Sequence, residues 1–160
     1  MKKLFSLLFL LILISCTKEV PEAEKNISKS VEENQVREVV DKFYSAYNNN
    51  DIVTAISFCD SDYKGIAAEA DDVAGTSMLE DELYNFRKQY PEGKWEIVIE
   101  EVSVQNSLAY IITQGSFMVP DPVEGEAPQY SERCIRILRH VKNEGWKIYR
   151  AFSVPMFSYD

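Results

Sequence analysis

Two arginines on the last two strand-like segments are the first candidates for a binding site. Arg136 and Arg150 each alternate with apolar residues, so each shares a strand face with core side chains. Facing inward, their guanidinium groups would bind a carboxylate or another anion. The preferred alternative is that they extend to the rim or pair with the many acidic residues of the chain. Tyr47 and Gln114 are further polar candidates for the same pocket.

Residues that could hold a metal ion are few. Asp60, Asp62 and Asp71 fall at ligand positions of a calcium-loop template, but Lys64 places a cation among them. A solvated acidic loop is the better interpretation. His140 is the one histidine, close to a predicted turn where an exposed position is expected, and a zinc site would need more ligands. The sequence therefore predicts no metal and no cofactor.

The N-terminus carries the pattern of a lipid-modified signal. Two lysines precede an apolar run over residues 4–14 that is too short for a stable transmembrane helix. Ser15 fits a peptidase pocket immediately before Cys16, and this pattern resembles bacterial lipoproteins. We predict a signal peptide at residues 1–15 and a membrane anchor of two or three acyl chains on Cys16. The alternative is an ordinary cleaved signal in which Cys16 is incidental.

The predicted location is the bacterial cell envelope. Thr17 follows Cys16 where an aspartate often retains lipoproteins in the inner membrane, so the resemblance favours the outer membrane. Residues 16–29 are mostly polar and charged, which is typical of a flexible tether. The net charge of −9 repels phosphate backbones and anionic lipid headgroups, so nucleic acid is not an expected partner.

Three helices are predicted ahead of the strands. A capping box at Ser30 begins the first helix, whose apolar stripe returns at three- and four-residue steps as far as Tyr47. Asp51 is placed to cap a short second helix. A second capping box at Ser77 begins the third helix, which ends before Pro91.

Four strands follow between residues 94 and 153. A change of alternation at residues 100–101 predicts a bulge. Residues 108–119 carry apolar side chains on both faces, which indicates a central strand covered on both sides. The segment 119–132 is interpreted either as a flap or as a solvated loop. A short glycine-containing turn at residues 143–145 predicts a hairpin between the last two strands.

Two cysteines remain after Cys16. Cys59 ends a predicted helix and Cys134 lies in a predicted strand. An oxidising compartment would allow them to pair, but these positions favour two buried free thiols over a disulfide.

Four short motifs, in their order along the chain, suggest a family. They are Phe43-Tyr44-x-Ala46-Tyr47, Asn50-Asp51, Ser77-Met78-Leu79-Glu80 and Trp146-Lys147-Ile148. Together with the order of elements they resemble the nuclear transport factor 2-like superfamily, near its SnoaL-like and ketosteroid-isomerase-like branches, over residues 31–157. The resemblance implies an α+β cone over residues 30–160. Three N-terminal helices pack on a curved antiparallel sheet around an apolar pocket, and the outer sheet face often forms a homodimer.

The resemblance also bears on catalysis. Isomerases of the family combine a tyrosine on the first helix with two carboxyl groups, one acting as base. Tyr44 matches that tyrosine, but the segment after Cys59, where the base is expected, contains only Gly, Ile, Ala and Ala at residues 65–68. Without a base, proton transfer has no acceptor. Tyr44 is therefore interpreted as part of the pocket wall, and no catalytic residue is assigned.

These observations favour a lipid-anchored, non-catalytic binding or accessory domain. Its ligand would be a small apolar or weakly anionic molecule held in the cone, next to Tyr44, Tyr47, Gln114, Arg136 and Arg150. One alternative is an isomerase- or cyclase-type enzyme with relocated acid and base residues. Another is a protein-interaction module that acts through the outer face of the sheet.

Overall fold

The computed structural model describes residues 22–68, 71–121 and 125–156. The predicted signal peptide, Cys16 and the first residues of the predicted tether lie outside this part of the chain. Within it, three helices pack against a single six-stranded sheet. None of the helices described has both the length and the apolar character that a membrane span requires.

Helix α1 (Glu22–Asn48) is the longest helix and carries the largest share of the helical core. It begins well before Ser30, so the predicted start at the capping box was wrong. Its end was predicted correctly, because the chain turns at Asn50, whose φ is 62°. Asp51 then caps helix α2 (Ile52–Ser57) as predicted, since its carboxylate accepts the amide of the third helical residue at 3.0 Å.

Helix α3 (Gly75–Gln89) closes the helical layer. It begins at Gly75, whose φ of 81° suits glycine, and the preceding Ala74 makes no side-chain cap. The predicted capping box at Ser77 was therefore wrong in position, because Ser77 already lies inside the helix. The end of the helix before Pro91 was predicted correctly.

A buried arginine fixes α3 to α1. Arg87 donates from Nη2 to the carbonyl oxygen of Tyr47 at 2.7 Å and from Nη1 to that of Gly93. Its guanidinium group also lies 4.3 Å from the centre of the Tyr47 ring. Carbonyl dipoles and the ring face replace the water that this charge loses on burial. The contact sets the position of α3 over the sheet.

The sheet has six strands in the spatial order β2-β1-β6-β5-β4-β3. The strands are β1 (Cys59–Ala67), β2 (Val73–Ala74), β3 (Lys94–Gln105), β4 (Leu108–Asp121), β5 (Gly125–Val141) and β6 (Gly145–Pro155). The α+β class and the helices on a curved sheet are confirmed. The four late strands β3–β6 pair antiparallel as predicted, but the sheet as a whole is mixed, because β1 pairs with β6 in parallel. The prediction of an acidic loop after Cys59 was partly wrong as well, because the first half of that loop forms strand β1.

The predicted loop at residues 119–132 is mostly strand. Strands β4 and β5 continue to pair beyond the body of the sheet, with Val119 opposite Ala127 and Asp121 opposite Gly125. The solvated-loop interpretation was therefore wrong for residues 119–121 and 125–132. The connection is instead a long antiparallel extension at one end of the sheet.

Two bulges change which side chains face the helices. The predicted bulge near Glu100 is confirmed by a shift in the pairing of β3 with β4. A second bulge at Tyr149 was not predicted; it shifts the pairing of β6 with β5. Beyond Tyr149 the alternation reverses, so Ala151 is buried whereas Phe152 is 39% exposed. The predicted alternation that placed Arg150 among core side chains was therefore wrong beyond this bulge.

A buried carboxylate joins β1 to β5. Asp60 accepts hydrogen bonds from Nε and Nη2 of Arg139 and from the amide of Asp62 at 2.8 Å. Burial alone would raise the pKa of Asp60, but the hydrogen bonds and the charge of Arg139 outweigh it and hold that pKa below its usual value.

We expect the stabilisation from Asp60 to depend on pH. Because the pKa is lower in the folded protein than the unfolded value of about 3.9, the stabilisation is complete above that value and is lost as the pH falls through the folded pKa. In urea titrations, the difference in unfolding free energy between wild type and Asp60→Asn should be largest near pH 7 and should decrease progressively as the pH falls below about 4. Asp41→Asn, at an exposed position on α1, should change stability by less than about 0.5 kcal/mol at both pH values. A pH-independent effect of Asp60→Asn would contradict this account.

Candidate functional site

A cavity of about 140 Å³ lies between the helices and the sheet. Aromatic rings form much of its wall, namely those of Phe43, Tyr44, Tyr47, Tyr63 and Trp95. Aliphatic side chains from α3 and β6 complete the apolar lining. Arg136 is the one charged residue among the described lining residues, so the polarity of this cavity is set by what Arg136 contacts.

Arg136 is buried and joins three elements. Its Nη1 donates to Thr113 Oγ1 at 2.6 Å on β4, and its Nη2 donates to the hydroxyl of Tyr44 on α1. Nη2 also lies 3.6 Å from Oε1 of Glu132, one of the acidic residues of β5. Only 8% of Glu132 and 6% of Arg136 are exposed, so this is an ion pair within the protein. The guanidinium group is held by these three partners.

The phenol of Tyr44 stays protonated. Burial raises its pKa well above the ordinary value; the charge of Arg136 opposes this effect and that of Glu132 adds to it. Burial likewise raises the pKa of Tyr63. Both phenols can act as hydrogen-bond donors, and neither can act as a base near neutral pH.

The two cysteines are buried free thiols, which confirms that prediction. Burial raises the pKa of Cys59 to about 12 and also raises the pKa of Cys134. Because the thiolate is the reactive form, neither side chain is an activated nucleophile. Cys59 contributes to the cavity wall as a small apolar group.

The structure brings Tyr44, Tyr47 and Arg136 to one cavity and leaves two predicted residues outside it. Gln114 lies on the other face of β4, since the buried alternation of that strand runs through Thr113. Arg150 is turned away by the bulge before it and donates to the carbonyl oxygen of Asp62 at 2.7 Å. The predicted pocket positions of Gln114 and Arg150 were therefore wrong.

An extension to the rim was wrong for Arg136, which is in the interior, although Arg136 does pair with an acidic residue, Glu132. A position at the rim suits the partly exposed Arg150. His140 is exposed, as predicted, and its ring packs edge-on to that of Trp146.

Sequence reasoning missed Glu132. The pocket was expected to lack a carboxylate, and this was wrong, because Glu132 is buried beside Arg136. The residue had been placed at the end of a loop, so its alternation with Cys134, Arg136 and Leu138 was not used. Glu132 lies two residues before Cys134 and so continues the buried face of β5 by one step. This spacing was visible in the sequence.

A wider cavity of about 510 Å³ lies next to the first. Leu83 and Trp95 line both cavities, so the two are adjacent, and we call the wider one the mouth. Five rings line the mouth, those of Phe86, Tyr90, Trp95, Phe117 and Tyr130. They contact one another: the ring centres of Phe86 and Phe117 are 4.7 Å apart, and those of Trp95 and Phe117 are 5.4 Å apart.

Two glycines let these rings lie against the backbone. A Cβ on Gly93 would stand 2.2 Å from Cζ of Phe117, and a Cβ on Gly115 would stand 3.1 Å from Cζ3 of Trp95. A larger residue at Gly93 would displace the Phe117 ring, because atoms cannot approach so closely. The shape of the mouth thus depends on the absence of side chains at these positions.

Comparison with known proteins identifies the fold. No protein-family model matches the chain, and no curated protein matches its sequence. Among solved structures, a nuclear transport factor 2-like protein with a cystatin-like fold from Novosphingobium aromaticivorans is similar with a TM-score of 0.77. The two share 8% sequence identity, over 88% of this chain and 92% of that chain.

Two further structures are similar over most of their length. A ketosteroid isomerase-like protein from Erwinia carotovora atroseptica has a TM-score of 0.65 and 14% identity, over 79% of this chain and 98% of that chain. A nuclear transport factor 2-like superfamily protein from Salmonella enterica serovar Typhimurium has a TM-score of 0.66 and 12% identity, over 82% and 95%. Such identities establish a fold and leave activity undetermined. The chain has the nuclear transport factor 2-like fold.

Proposed function

We propose that the domain binds a small, largely apolar molecule in the space formed by the cavity and the mouth, without altering it chemically. The observation that carries this proposal is that Leu83 and Trp95 line both spaces and that aromatic rings form much of the wall of each. Concave, mainly apolar spaces with a few fixed polar groups are the usual form of small-molecule sites. The ion pair of Arg136 with Glu132 supplies the polar groups here.

A neutral fluorescent probe tests this proposal. N-phenyl-1-naphthylamine should bind with a dissociation constant in the range of about 1 to 100 μM, which corresponds to roughly 5 to 8 kcal/mol. Ala151→Phe places a ring inside the cavity and should weaken probe binding by at least about tenfold, or 1.4 kcal/mol. Val154→Phe, on the exposed part of the same strand, is the matched control and should leave binding unchanged. Equal binding by wild type and Ala151→Phe would contradict a site in the cavity.

An acid-base enzyme is the second candidate, and the buried carboxylate of Glu132 favours it. Glu132 lies on β5, away from the segment expected to hold a base, and it shares Arg136 with Tyr44. One structural neighbour is described as ketosteroid isomerase-like. In a test of this candidate, a molecule that was bound to the protein is released and analysed by nuclear magnetic resonance. Recovery of that molecule in chemically altered form would favour an enzyme over simple binding.

We further propose that the mature chain is attached to the bacterial outer membrane through acyl chains on Cys16. The signal-like pattern of residues 1–16 supports this proposal. Cys16→Ser should move the protein from the membrane fraction to the soluble fraction of the envelope, measured by immunoblotting after ultracentrifugation. Mass spectrometry of membrane-extracted wild type should show the mass of the acyl chains on an N-terminal Cys16 peptide. An unmodified Cys16 in membrane-bound protein would contradict the anchor.

A third candidate is a protein-interaction module or homodimer that uses the outer face of the sheet. Four apolar residues lie in register across four adjacent strands of this face: Ile66, Phe152, Ile135 and Ile112. Ile135 is 45% exposed and Phe152 is 39% exposed. Such a row on a soluble surface is typical of an interface.

We expect Ile135→Glu to convert a dimer formed through this face into a monomer, because a charge would be buried at its centre. Sedimentation velocity measures the change. Val53→Glu, at an equally apolar and 65% exposed position on α2, is the control and should leave the mass unchanged. A wild-type monomer at 100 μM would argue against the homodimer.

A further inference from the structure

We infer that the molecule bound in this pocket is an organic cation, an amine or quaternary ammonium group on an apolar body, whose charge is received by Glu132 and Trp95. This inference rests on the proposed small-ligand function and specifies the chemical class of the ligand. It differs from the apolar or weakly anionic ligand that the sequence suggested, for reasons that come from charge, from ring placement and from the size of the cavity.

The interior arginine already has a carboxylate partner. Arg136 donates to Thr113 Oγ1 and to the hydroxyl of Tyr44, and its charge is balanced by Glu132. An anionic ligand would have to compete with Glu132 for this guanidinium group, and a buried carboxylate left unpaired is strongly unfavourable. Because the pair as a whole is neutral, the other charges around the mouth decide the sign of the ligand.

The mouth carries negative charge. Of the described residues that line it, Glu82 and Glu132 are acidic and none is basic. Glu82 is exposed at the rim, whereas Glu132 lies at the inner end and contacts Arg136 through Oε1. In the inferred complex, the cation of the ligand contacts the other oxygen of Glu132. The chain as a whole has a net charge of −9, so its field also favours a cation over an anion.

The aromatic rings suit the same charge. Glu132 lies directly opposite Gly115 in the pairing of β5 with β4, and a Cβ on Gly115 would stand 3.1 Å from Cζ3 of Trp95. Directly opposite residues share one face of the sheet, so the indole ring and the carboxylate are neighbours. Tyr130 packs edge-on to Trp95 with ring centres 6.0 Å apart. A cation beside Glu132 would thus lie near the indole ring, and the face of such a ring attracts positive charge.

The inner cavity then holds the apolar end of the ligand. Its volume of about 140 Å³ is close to that of an apolar protein cavity known to bind benzene. Rings and aliphatic groups line it, so a phenyl group or a short alkyl chain would fill it. The ligand expected from this geometry has one small apolar end and a cation a few bonds away.

Three probes with one common body test the inference. They are 4-phenylbutylamine, 4-phenylbutanol and 4-phenylbutyrate, which are cationic, neutral and anionic at pH 7. Isothermal titration calorimetry at 50 mM and 500 mM salt measures their binding to the folded wild-type protein. We expect the amine to bind at least about tenfold more tightly than the alcohol, which corresponds to about 1.4 kcal/mol of binding free energy. The butyrate should bind most weakly. The preference should decrease at high salt, because charge attraction is screened.

Four variants test which residues cause the preference for the amine over the alcohol. Glu132→Gln and Trp95→Leu should each reduce the advantage of the amine over the alcohol to below about threefold, because each removes one source of attraction for the cation. Glu82→Gln, at an exposed position, should reduce the advantage of the amine by about twofold, because exposed charge pairs contribute little. The far-ultraviolet circular dichroism of this variant should be the same as that of wild type. Glu80→Gln, on the same helix but outside the mouth, is the matched control and should leave the advantage unchanged.

The outcomes separate this inference from the proposed function. If the alcohol or the butyrate binds wild type as tightly as the amine, the cation inference is overturned and the apolar binding site remains. If all three probes and the naphthylamine fail to bind, the proposed function is overturned as well. An unchanged amine preference in both Glu82→Gln and Trp95→Leu would also overturn the assignment, whatever the stability of Glu132→Gln.

Discussion

One buried guanidinium group must find hydrogen-bond acceptors inside the protein, and this requirement sets how the first helix packs on the sheet. Arg136 lies on β5 with almost no access to water, so its donors must find acceptors inside the protein. Thr113 on β4, Tyr44 on α1 and Glu132 on β5 provide them. Because these residues come from the first helix and from two central strands, satisfying one side chain fixes the distance between helix and sheet. The cavity is the space that remains beside this contact.

Bulges decide which residues share that space. Alternation along a strand assigns side chains to two faces only while the register is regular. The extra residue at Tyr149 turns Arg150 toward the surface and brings Ala151 inward, so the two candidate arginines end on different sides of the sheet. The small side chain of Ala151, together with the missing side chain of Gly115, leaves room for the cavity and for the Trp95 ring.

Much of the fold could be predicted from the sequence because its signals are local. The apolar stripe of α1, the cap at Asp51, the bulge at Glu100 and the turn at residues 143–145 each depend on a few neighbouring residues. The parallel pairing of β1 with β6 joins segments far apart in the chain, and no local pattern reports it. Glu132 was missed for a related reason. Prolines and glycine in residues 119–132 suggested a loop, although cross-strand pairing keeps most of that segment in the sheet.

The ion pair is better explained by the pocket than by folding. A buried ion pair contributes little net stability compared with apolar side chains of similar volume, since desolvation of both charges offsets their attraction. Leucine and methionine at positions 132 and 136 could fill the same space without needing partners. They would not place a carboxylate where the cavity meets the mouth, beside an indole ring. In the binding proposed above, the charge at this junction serves recognition, and the tyrosine and threonine that hold the arginine keep the carboxylate in place.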